Sequence, residues 1–300
     1  MTDGVHDVTE ATLRNMPLPT HREGDDKDAR GCVLVIAGST EVPGGALLAG
    51  IGALRAGAGK LQIATCKSVA AGLALAIPEA RVTGFAETNR GDIHPDAAVC
   101  LADRSSRCDA VLVGPGMLDD QTAACLTAGL LRRCQARPVP FVLDAAALKG
   151  LLEGALLGQG GALAGRVIIT PHAGEMAGLL GLSREDVLAD RLGAARQAAA
   201  MFQVVVAMKG ACTFIVTPDG TAWSCDRGNV GLATSGSGDT LAGIVAGLLA
   251  RGATPLAATL WGVFLHGQAG ERLAQRKGPL GFLARELLAE IPAILADHTT

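Results

Sequence analysis

The sequence contains no tyrosine, and aromatic residues account for only 3% of its 300 positions. It also has no basic surplus, because 26 Lys and Arg stand against 29 Asp and Glu, which gives a net charge of −3. Proteins that bind nucleic acids usually combine a basic surface with aromatic side chains that stack on bases. We therefore expect no nucleic-acid partner. At 49% hydrophobic and 18% charged residues, the chain is too apolar to be disordered.

The sequence also lacks a clear membrane span and a secretion signal. The longest segment without Asp, Glu, Lys or Arg, residues 252–270, is barely long enough to cross a bilayer. It includes glycines, a proline and a histidine, which favours a helix buried inside the protein. The N-terminus, MTDGVHDVTE, has acidic residues and no apolar core, unlike a signal peptide. We expect a cytoplasmic protein without membrane contact, and the apolar surplus favours a homo-oligomer.

None of the eight cysteines forms a C-x-x-C pair. A chain of this length does not need disulfides to stabilise its core, and the ligand spacing typical of zinc sites is missing. We interpret the cysteines as mostly buried thiols in a reducing compartment rather than as a metal site.

Short apolar runs alternate with Ala- and Leu-rich segments from Cys32 onward. This alternation predicts βαβ units and a single three-layer α/β/α domain with a mostly parallel central sheet, covering residues 31–300. Residues 1–30 are predicted to be a polar leader that wraps the surface or frays. Closely spaced strands within residues 204–225, with a turn at Asp219 and Gly220, predict an antiparallel edge. Predicted helices cover 45–57, 68–78, 121–134, 147–157, 174–181, 184–201, 239–250, 255–272 and 280–295.

Several familiar motifs are missing, among them the Walker A loop, G-x-G-x-x-G after the first strand, H-E-x-x-H and G-x-S-x-G. The strongest signal is instead NVGLATSGSGD at residues 229–239, which leads into an apolar helix. Gly236 and Gly238 allow the backbone to approach a ligand closely. Loop N–H groups and the helix N-terminus together suit a phosphate.

Asp239 stands in the first turn of that predicted helix. It could simply cap the helix, although a cap does not need two flanking glycines. A carboxylate beside a phosphate is repelled by it. This unfavourable placement is explained if Asp239 takes a proton from a hydroxyl that attacks the phosphate. Mg²⁺ could offset the repulsion, as in other phosphoryl-transfer sites.

Further polar residues follow other predicted strands, where ligands of open α/β sheets bind. His172, in TPHAGE, could contact a substrate or cap the next helix, and Glu175 could act there or stabilise the first turn. Lys209, in KGACT, could hold a phosphate or lie in solvent, and Thr213 could donate a hydrogen bond. Asp144, in FVLDA, could order the following loop or organise a metal.

Two glycine-containing turns are weaker signals. Gly114 and Gly116 flank a proline after a strand and could line a ligand, although turn chemistry alone would explain them. The sequence PGGA, which ends at Ala46, could let a large ligand approach the backbone, and helix–sheet packing explains it equally well.

From about residue 31 to its last helices, the chain resembles the ADP/ATP-dependent NAD(P)H-hydrate dehydratases of the ribokinase-like superfamily. The resemblance rests on seven segments in this order: VLVIAGSTEVPGGALLAG, LRAGAGKLQIAT, VLVGPGM, VLDAAAL, ITPHAGEMAGLLG, VVVAMKGACTF and NVGLATSGSGDTLAGIVAGLLARG. That family repairs NADHX and NADPHX, the hydrated forms of the reduced nicotinamide cofactors. The resemblance implies a ribokinase-like fold and an enzyme that phosphorylates the added hydroxyl of the S-epimer with ADP or ATP and then eliminates phosphate.

The resemblance also implies roles for individual residues. Asp239 would be the base on the hydroxyl, and the amides of residues 236–238, Gly236 among them, would stabilise the transferred phosphoryl group. The hydrated nucleotide would contact Ala46, Gly116, His172 and Asp239. The adenine nucleotide would be held by Lys209, Gly210, Ala211, Cys212, Thr213 and Gly238. Mg²⁺ follows from the chemistry alone, since no set of metal ligands can be identified in the sequence.

The sequence departs from the family pattern in three places. Ala146 stands where the family often has a second aspartate, Met117 follows the G-P-G turn in place of a further glycine, and HREG at residues 21–24 replaces the usual His-Lys-Gly. Because only about 30 residues precede the first predicted strand, we expect no N-terminal epimerase domain of the kind that some relatives carry. Two alternatives stay open, a small-molecule kinase of the same fold and a non-catalytic nucleotide sensor. The TPHAGE block favours the dehydratase over the kinase.

Overall fold

The computed structural model describes residues 4–20, 22, 24, 26–136, 139–153 and 164–299. Its strands are β1 (Val5–Asp7), β2 (Cys32–Ile36), β3 (Lys60–Cys66), β4 (Ala80–Phe85), β5 (Ala110–Val113), β6 (Phe141–Leu143), β7 (Val167–Ile169), β8 (Val205–Met208), β9 (Thr213–Val216) and β10 (Ala222–Cys225). Its α-helices are α1 (Glu10–Arg14), α2 (Gly44–Arg55), α3 (Lys67–Ala76), α4 (Ala98–Ser105), α5 (Asp120–Arg133), α6 (Ala173–Leu180), α7 (Arg184–Ala189), α8 (Arg191–Phe202), α9 (Ser237–Ala250), α10 (Pro255–Lys277) and α11 (Ala284–Thr299). Short 3₁₀ helices cover Pro95–Ala97, Ala145–Leu152 and Val230–Leu232.

The strands form one ten-stranded sheet in the order β1-β10-β9-β8-β7-β6-β5-β2-β3-β4. Among the described strands, β9 alone runs against its neighbours, so the predicted mostly parallel sheet with antiparallel pairs is confirmed. The chain moves outward from β2 in both directions, which puts the topological switch point between β2 and β5. Ligands of open α/β sheets bind at such a point, beyond the carboxyl ends of the strands.

Each central strand supplies side chains to two separate cores. Val33 and Val35 of β2 face the core that α2, α9, α10 and α11 cover. Leu34 and Ile36 face the opposite core, beneath α4 to α8. Because β2 is buried on both faces, its sequence is continuously apolar rather than alternating.

Helices α2 and α9 pack with their backbones almost in contact. A Cβ atom added to Gly243 would lie 2.2 Å from the carbonyl oxygen of Ala49, and one added to Gly247 would lie 2.4 Å from that of Ala53. Only glycine allows so close an approach. The small residues of both helices therefore place their N-termini side by side above the sheet.

The structure corrects several sequence-based boundaries. The predicted helix at 147–157 is a 3₁₀ helix over Ala145–Leu152, where Gly150 packs against Thr127; residues 154–157 lie outside the described residues. The predicted helix 184–201 is broken at Asp190, which leaves the helical conformation and caps α8.

The last helix begins at Ala284 rather than at residue 280, because Gly281 has φ +94°. Strand β4 and helix α4 were not predicted, since β4 has no fully buried residue and α4 is a short helix that is only partly buried.

Part of the predicted leader joins the sheet. Strand β1 pairs in parallel with β10 and, rather than β10, forms the edge of the sheet on that side. The indole N–H of Trp261 donates to the carbonyl of Met16 at 2.8 Å, and Arg251 donates to that of Pro19 at 3.3 Å. Of the sequence HREG in this segment, His21 and Glu23 lie outside the described residues.

The uncharged segment 252–270 falls mostly within α10, which buries Trp261, Phe264 and Leu265 in the core. The prediction of a buried helix is therefore confirmed. Within the described part of the chain, no helix combines the length and apolar character that crossing a membrane requires.

Candidate active site

Two predicted turns meet at the switch point of the sheet. The N–H of Gly38 donates to the carbonyl of Pro115 at 2.7 Å. Gly116 has φ +69°, and an added Cβ atom would lie 2.4 Å from the carbonyl oxygen of Val42. The segments after β2 and β5 thus form one wall of the candidate site. Turn conformation and close packing are enough to explain the glycines in this wall. Ala46 is fully buried beneath this wall, so its contact with a ligand stays a prediction.

Asp144 is a buried carboxylate at the carboxyl end of β6. Its Oδ1 accepts hydrogen bonds from the hydroxyl of Thr170 at 2.7 Å and from the ammonium of Lys209 at 2.9 Å. The next residue, Ala145, has φ +50°, an unusual conformation for a residue with a side chain. Gly114 lies against the carbonyl of Asp144, where a Cβ atom would come within 1.8 Å. The loop is therefore held in a strained, fixed shape.

Lys209 lies among carboxylates rather than in solvent, since its side chain is only 19% exposed. Its Nζ is 2.9 Å from Asp144 Oδ1 and 3.7 Å from Glu175 Oε2. Burial lowers the pKa of Lys209, but the charges of Asp144, Glu175 and Asp239 outweigh it and raise the pKa above its ordinary value. Lys209 therefore stays protonated at neutral pH and provides a fixed positive charge.

Asp239 does not cap α9. The N-cap position belongs to Gly236, which has φ +86° and makes no side-chain cap. Burial, followed by the charges of Asp144 and Glu175, raises the pKa of Asp239 to about 6, although Lys209 opposes the shift. A carboxylate with a pKa near neutrality is suited to accept a proton during a reaction.

The N-terminus of α9 faces the Lys209 ammonium. A Cβ atom on Gly238 would lie 3.4 Å from Lys209 Nζ and 4.0 Å from Asp144 Oδ2. Free N–H groups of a first helical turn, the helix dipole and a lysine together attract an anion. Asp239 stands in the same turn, so a proton acceptor and an anion site share one corner of the molecule.

His172 and Glu175 cap α6 reciprocally. His172 Nδ1 accepts the N–H groups of Gly174 and Glu175 at 3.0 and 3.1 Å, while Glu175 Oε2 accepts the N–H of His172 at 2.7 Å. The capping interpretation of both residues is therefore correct. The His172 side chain is also 60% exposed, and its contact with substrate stays a prediction.

Comparison with known proteins identifies the family of this chain. The profile described as NAD(P)H-hydrate dehydratase matches residues 33–293. An ADP-dependent (S)-NAD(P)H-hydrate dehydratase from Xanthomonas campestris is 48% identical over 97% of this chain and 96% of its own length.

The chain belongs to the NAD(P)H-hydrate dehydratase family.

Two solved structures extend this result. The ADP/ATP-dependent NAD(P)H-hydrate dehydratase from Bacillus subtilis, co-crystallised with ATP and Mg²⁺, is 30% identical, with a TM-score of 0.82 over 99% of this chain and 100% of that one. A ribokinase-like superfamily protein from Enterococcus faecalis is 25% identical, with a TM-score of 0.83 over 99% of this chain and 98% of that one. The predicted family and the ribokinase-like fold are both confirmed.

Five of the six residues predicted to hold the adenine nucleotide are consecutive, since residues 209–212 connect β8 to β9 and Thr213 is the first residue of β9. The N–H of Lys209 donates to the carbonyl of Pro171 at 2.8 Å, which joins the connection to the TPHAGE segment. Gly210 and Ala211 are exposed, Cys212 is half-buried, and Thr213 begins β9. The structure thus brings Lys209 to the first turn of α9, which holds Gly238 and Asp239, whereas Gly116 lies on the neighbouring wall and Ala46 is buried beneath it.

Two features of the site were not predicted. His266 Nε2 lies 2.9 Å from the hydroxyl of Ser237, the first residue of α9, and burial lowers the pKa of His266 to about 4. Buried Asp92 accepts the N–H groups of Leu118 and Asp119 and so holds the loop after β5. A polar residue in an apolar helix is the signal that could have identified His266; Asp92 offers no comparable signal.

Proposed function

We propose that this protein catalyses the nucleotide-dependent dehydration of (S)-NADHX and (S)-NADPHX to NADH and NADPH, a metabolite-repair reaction. One observation of the site carries the proposal: Asp239, with a pKa near 6 on which the Lys209 charge acts, lies in the first turn of α9 directly after Gly238, whose Cβ position would be 3.4 Å from Lys209 Nζ. Membership of the NAD(P)H-hydrate dehydratase family supports the same conclusion.

Asp239 is the base in this proposal. Its carboxylate accepts the proton of the hydroxyl group that hydration added to the nicotinamide ring. The hydroxyl oxygen then bonds to the terminal phosphorus of ADP or ATP while the bond from that phosphorus to the bridging oxygen breaks, so that AMP leaves from ADP or ADP leaves from ATP. The carbon–oxygen bond then breaks, phosphate departs with that oxygen and the bonding electron pair, and a neighbouring ring carbon loses a proton to water, which restores the double bond. General-base catalysis of this kind typically contributes 10²–10⁴-fold.

Lys209 and the first turn of α9 hold the phosphates. The ammonium neutralises charge on the phosphoryl group. The N–H groups near Gly236 and Gly238 point toward that group before the reaction begins. Preorganised donors of this kind stabilise developing charge with little reorganisation. The nearby carboxylate of Asp144 fixes Lys209 at 2.9 Å.

In this proposal, Mg²⁺ would bind together with the nucleotide. Where the structure describes the chain, no group of three or more His, Cys, Asp or Glu could hold a metal ion. The carboxylates of Asp144 and Glu175 instead flank the Lys209 ammonium. Mg²⁺ usually keeps several waters and binds through substrate phosphates with one or two carboxylates. The ion would therefore take most of its ligands from the nucleotide and neutralise phosphate charge.

We further propose a cytoplasmic location and assembly into a homo-oligomer. All eight cysteines lie among the described residues and none of them is joined to another in a disulfide, as expected in a reducing compartment. Leu75 and Leu280 are 86% and 66% exposed, and such side chains are candidates for contact with a second copy. The mass in solution, measured by light scattering, tests the assembly.

The decisive experiment follows NADH absorbance after NADHX and Mg²⁺ are mixed with the protein and either ADP or ATP. We expect recovery that requires a nucleotide, and the better donor is identified directly. Asp239→Asn is expected to lower turnover by at least ~10² while nucleotide binding survives. Asp226→Asn, an exposed change of the same type, is the control and should keep full turnover.

Absence of recovery in a protein that still binds ADP or ATP would contradict the proposal. A screen of small hydroxylated acceptors would then test for a kinase of the same fold. Undiminished turnover in Asp239→Asn would remove Asp239 from the mechanism.

A further inference from the structure

Arg191 supports the connection between β8 and β9 from outside the predicted site. It is the first residue of α8, directly after Asp190 breaks the helical path, and the Asp190 carboxylate caps the new helix by accepting the N–H of Gly193. Asp190 therefore separates Arg191 from the end of α7. Its guanidinium lies 5.5 Å from the centre of the Phe214 ring, a stacking contact that fixes its orientation.

The guanidinium binds both ends of the connection. Nη2 donates to the carbonyl of Met208, the last residue of β8, at 3.2 Å and to that of Cys212, just before β9, at 2.6 Å. A Cβ atom on Gly210 would lie 2.0 Å from the same nitrogen. The guanidinium therefore packs against the backbone of the connection and links its two ends by hydrogen bonds.

This contact determines the direction of the peptide groups. In a planar trans peptide the carbonyl and the N–H point in opposite directions. The carbonyl of Met208 points to Arg191, so the N–H of Lys209 points to the other side, where it donates to Pro171. Lys209 is thereby directed toward Asp144 and the first turn of α9. Without Arg191, the exposed Gly210 and Ala211 would leave the connection weakly restrained.

We propose that Arg191 is a positioning residue for nucleotide binding: its guanidinium clamps the carbonyls of Met208 and Cys212 and so holds residues 209–213 in the shape that receives the phosphates of ADP or ATP. The inference rests on the proposed function, because it takes this connection as part of the nucleotide site. It extends the site to a residue of α8 that no sequence motif identifies.

The test measures nucleotide affinity separately from turnover. Calorimetry with Mg²⁺ and ADP, then ATP, compares the wild type with Arg191→Ala and Arg191→Lys. Hydrogen bonds from a charged donor predict that Kd rises about tenfold to a hundredfold in Arg191→Ala. Arg191→Lys should recover only part of the loss, because a compact ammonium lacks the planar fork of a guanidinium. Arg184→Ala, at an exposed position at the start of α7, is the matched control and should bind normally.

Two readouts separate positioning from general support of the fold. Free guanidinium at millimolar concentration should restore nucleotide binding to Arg191→Ala and leave the control unchanged. In steady-state assays, KM for the nucleotide should rise while KM for the hydrate stays constant. Normal nucleotide affinity in Arg191→Ala would overturn the inference. So would equal increases in both KM values without rescue by guanidinium, which would indicate a general loss of structure.

The outcome is independent of the proposed reaction. If the wild type binds ADP and fails to convert NADHX, the proposed function is wrong, and loss of ADP affinity in Arg191→Ala still establishes the clamp. If the wild type converts NADHX and the variant binds ADP normally, the clamp is wrong and the function stands. A wild type without affinity for either nucleotide would overturn both.

Discussion

Asp239 owes its expected chemistry to its neighbours rather than to its position at a helix start. Burial and the negative charges of Asp144 and Glu175 disfavour its ionised form, and the Lys209 ammonium limits the effect. The result is a carboxylate that is ionised at neutral pH yet basic enough to accept a proton. An exposed aspartate in a helix cap would be much less basic.

This environment predicts how activity depends on pH. Asp239 is protonated below pH about 6 and cannot then accept a proton, so kcat/KM should fall as the pH drops through that value. Replacing Glu175 with Gln removes a negative charge that raises the pKa of Asp239. The acid limb of the pH–rate profile should therefore move to lower pH in Glu175→Gln.

Glutamine keeps the local structure in this variant, because its side-chain oxygen can still accept the N–H of His172 in the capping arrangement. Glu185→Gln, at an exposed position in α7, is the control for a change in net charge. An acid limb that stays in place or moves to higher pH in Glu175→Gln would show that Glu175 does not influence the base.

At the scale of elements, the contact between α2 and α9 depends on glycine. Gly243→Ala would place a methyl group 2.2 Å from the Ala49 carbonyl, so the helices must separate. Such overpacking typically costs about 1–3 kcal/mol of unfolding free energy. We expect urea denaturation to show this loss, together with lower turnover, since both helix N-termini belong to the proposed site.

Gly72→Ala is the matched control. Gly72 lies inside α3, is exposed, and has open space where a Cβ atom would stand. Here alanine should raise the unfolding free energy by roughly 0.5–1 kcal/mol through helix propensity alone. A similar gain in Gly243→Ala would contradict the close packing of α2 and α9.

The sequence was most informative where elements are long and buried. Strands such as β2 were predictable because burial on both faces requires an uninterrupted apolar run. Strand β4 was missed, since an edge strand with partly exposed residues carries no such run. The break at Asp190 was also missed, because the flanking segments both favour helix and tertiary packing decides between them.

In the candidate site, too, the sequence predicts the location of some residues and misses the contacts of others. Asp144 and Lys209 could be placed at one edge of the sheet in advance, because both follow predicted parallel strands. Asp239 follows no strand, and only the family resemblance joined it to Lys209. The contacts of Arg191 and Asp92 could not be predicted, because each side chain binds backbone atoms of a segment that is more than 15 residues away in the sequence. No local pattern records which carbonyl or N–H a distant side chain will reach.

At the scale of the whole molecule, the sheet links the two cores. Neighbouring residues of the central strands serve opposite cores, so neither core can lose its packing while the other keeps a complete sheet. We therefore expect a single cooperative unfolding transition, although the chain is larger than most two-state proteins.

The distribution of tryptophan makes this testable. The chain has two tryptophans and no tyrosine, and both Trp223 and Trp261 belong to the core beneath α9 and α10. Tryptophan fluorescence therefore reports one core, while far-UV circular dichroism reports helices on both faces. The two urea transitions should coincide. A fluorescence midpoint clearly displaced from the dichroism midpoint would show that the cores unfold separately.

Glycine at the α2–α9 contact also connects the two ligands of the proposed reaction. Because the helix backbones touch near Gly243 and Gly247, a shift of one N-terminus is transmitted to the other rather than absorbed by side chains. At the proposed site, we therefore expect a nucleotide bound at α9 to alter the affinity for a hydrate bound beside α2, and the hydrate must then alter nucleotide affinity by the same factor. The two substrates would be mutual effectors, and the stability of the ternary complex would be independent of which one binds first.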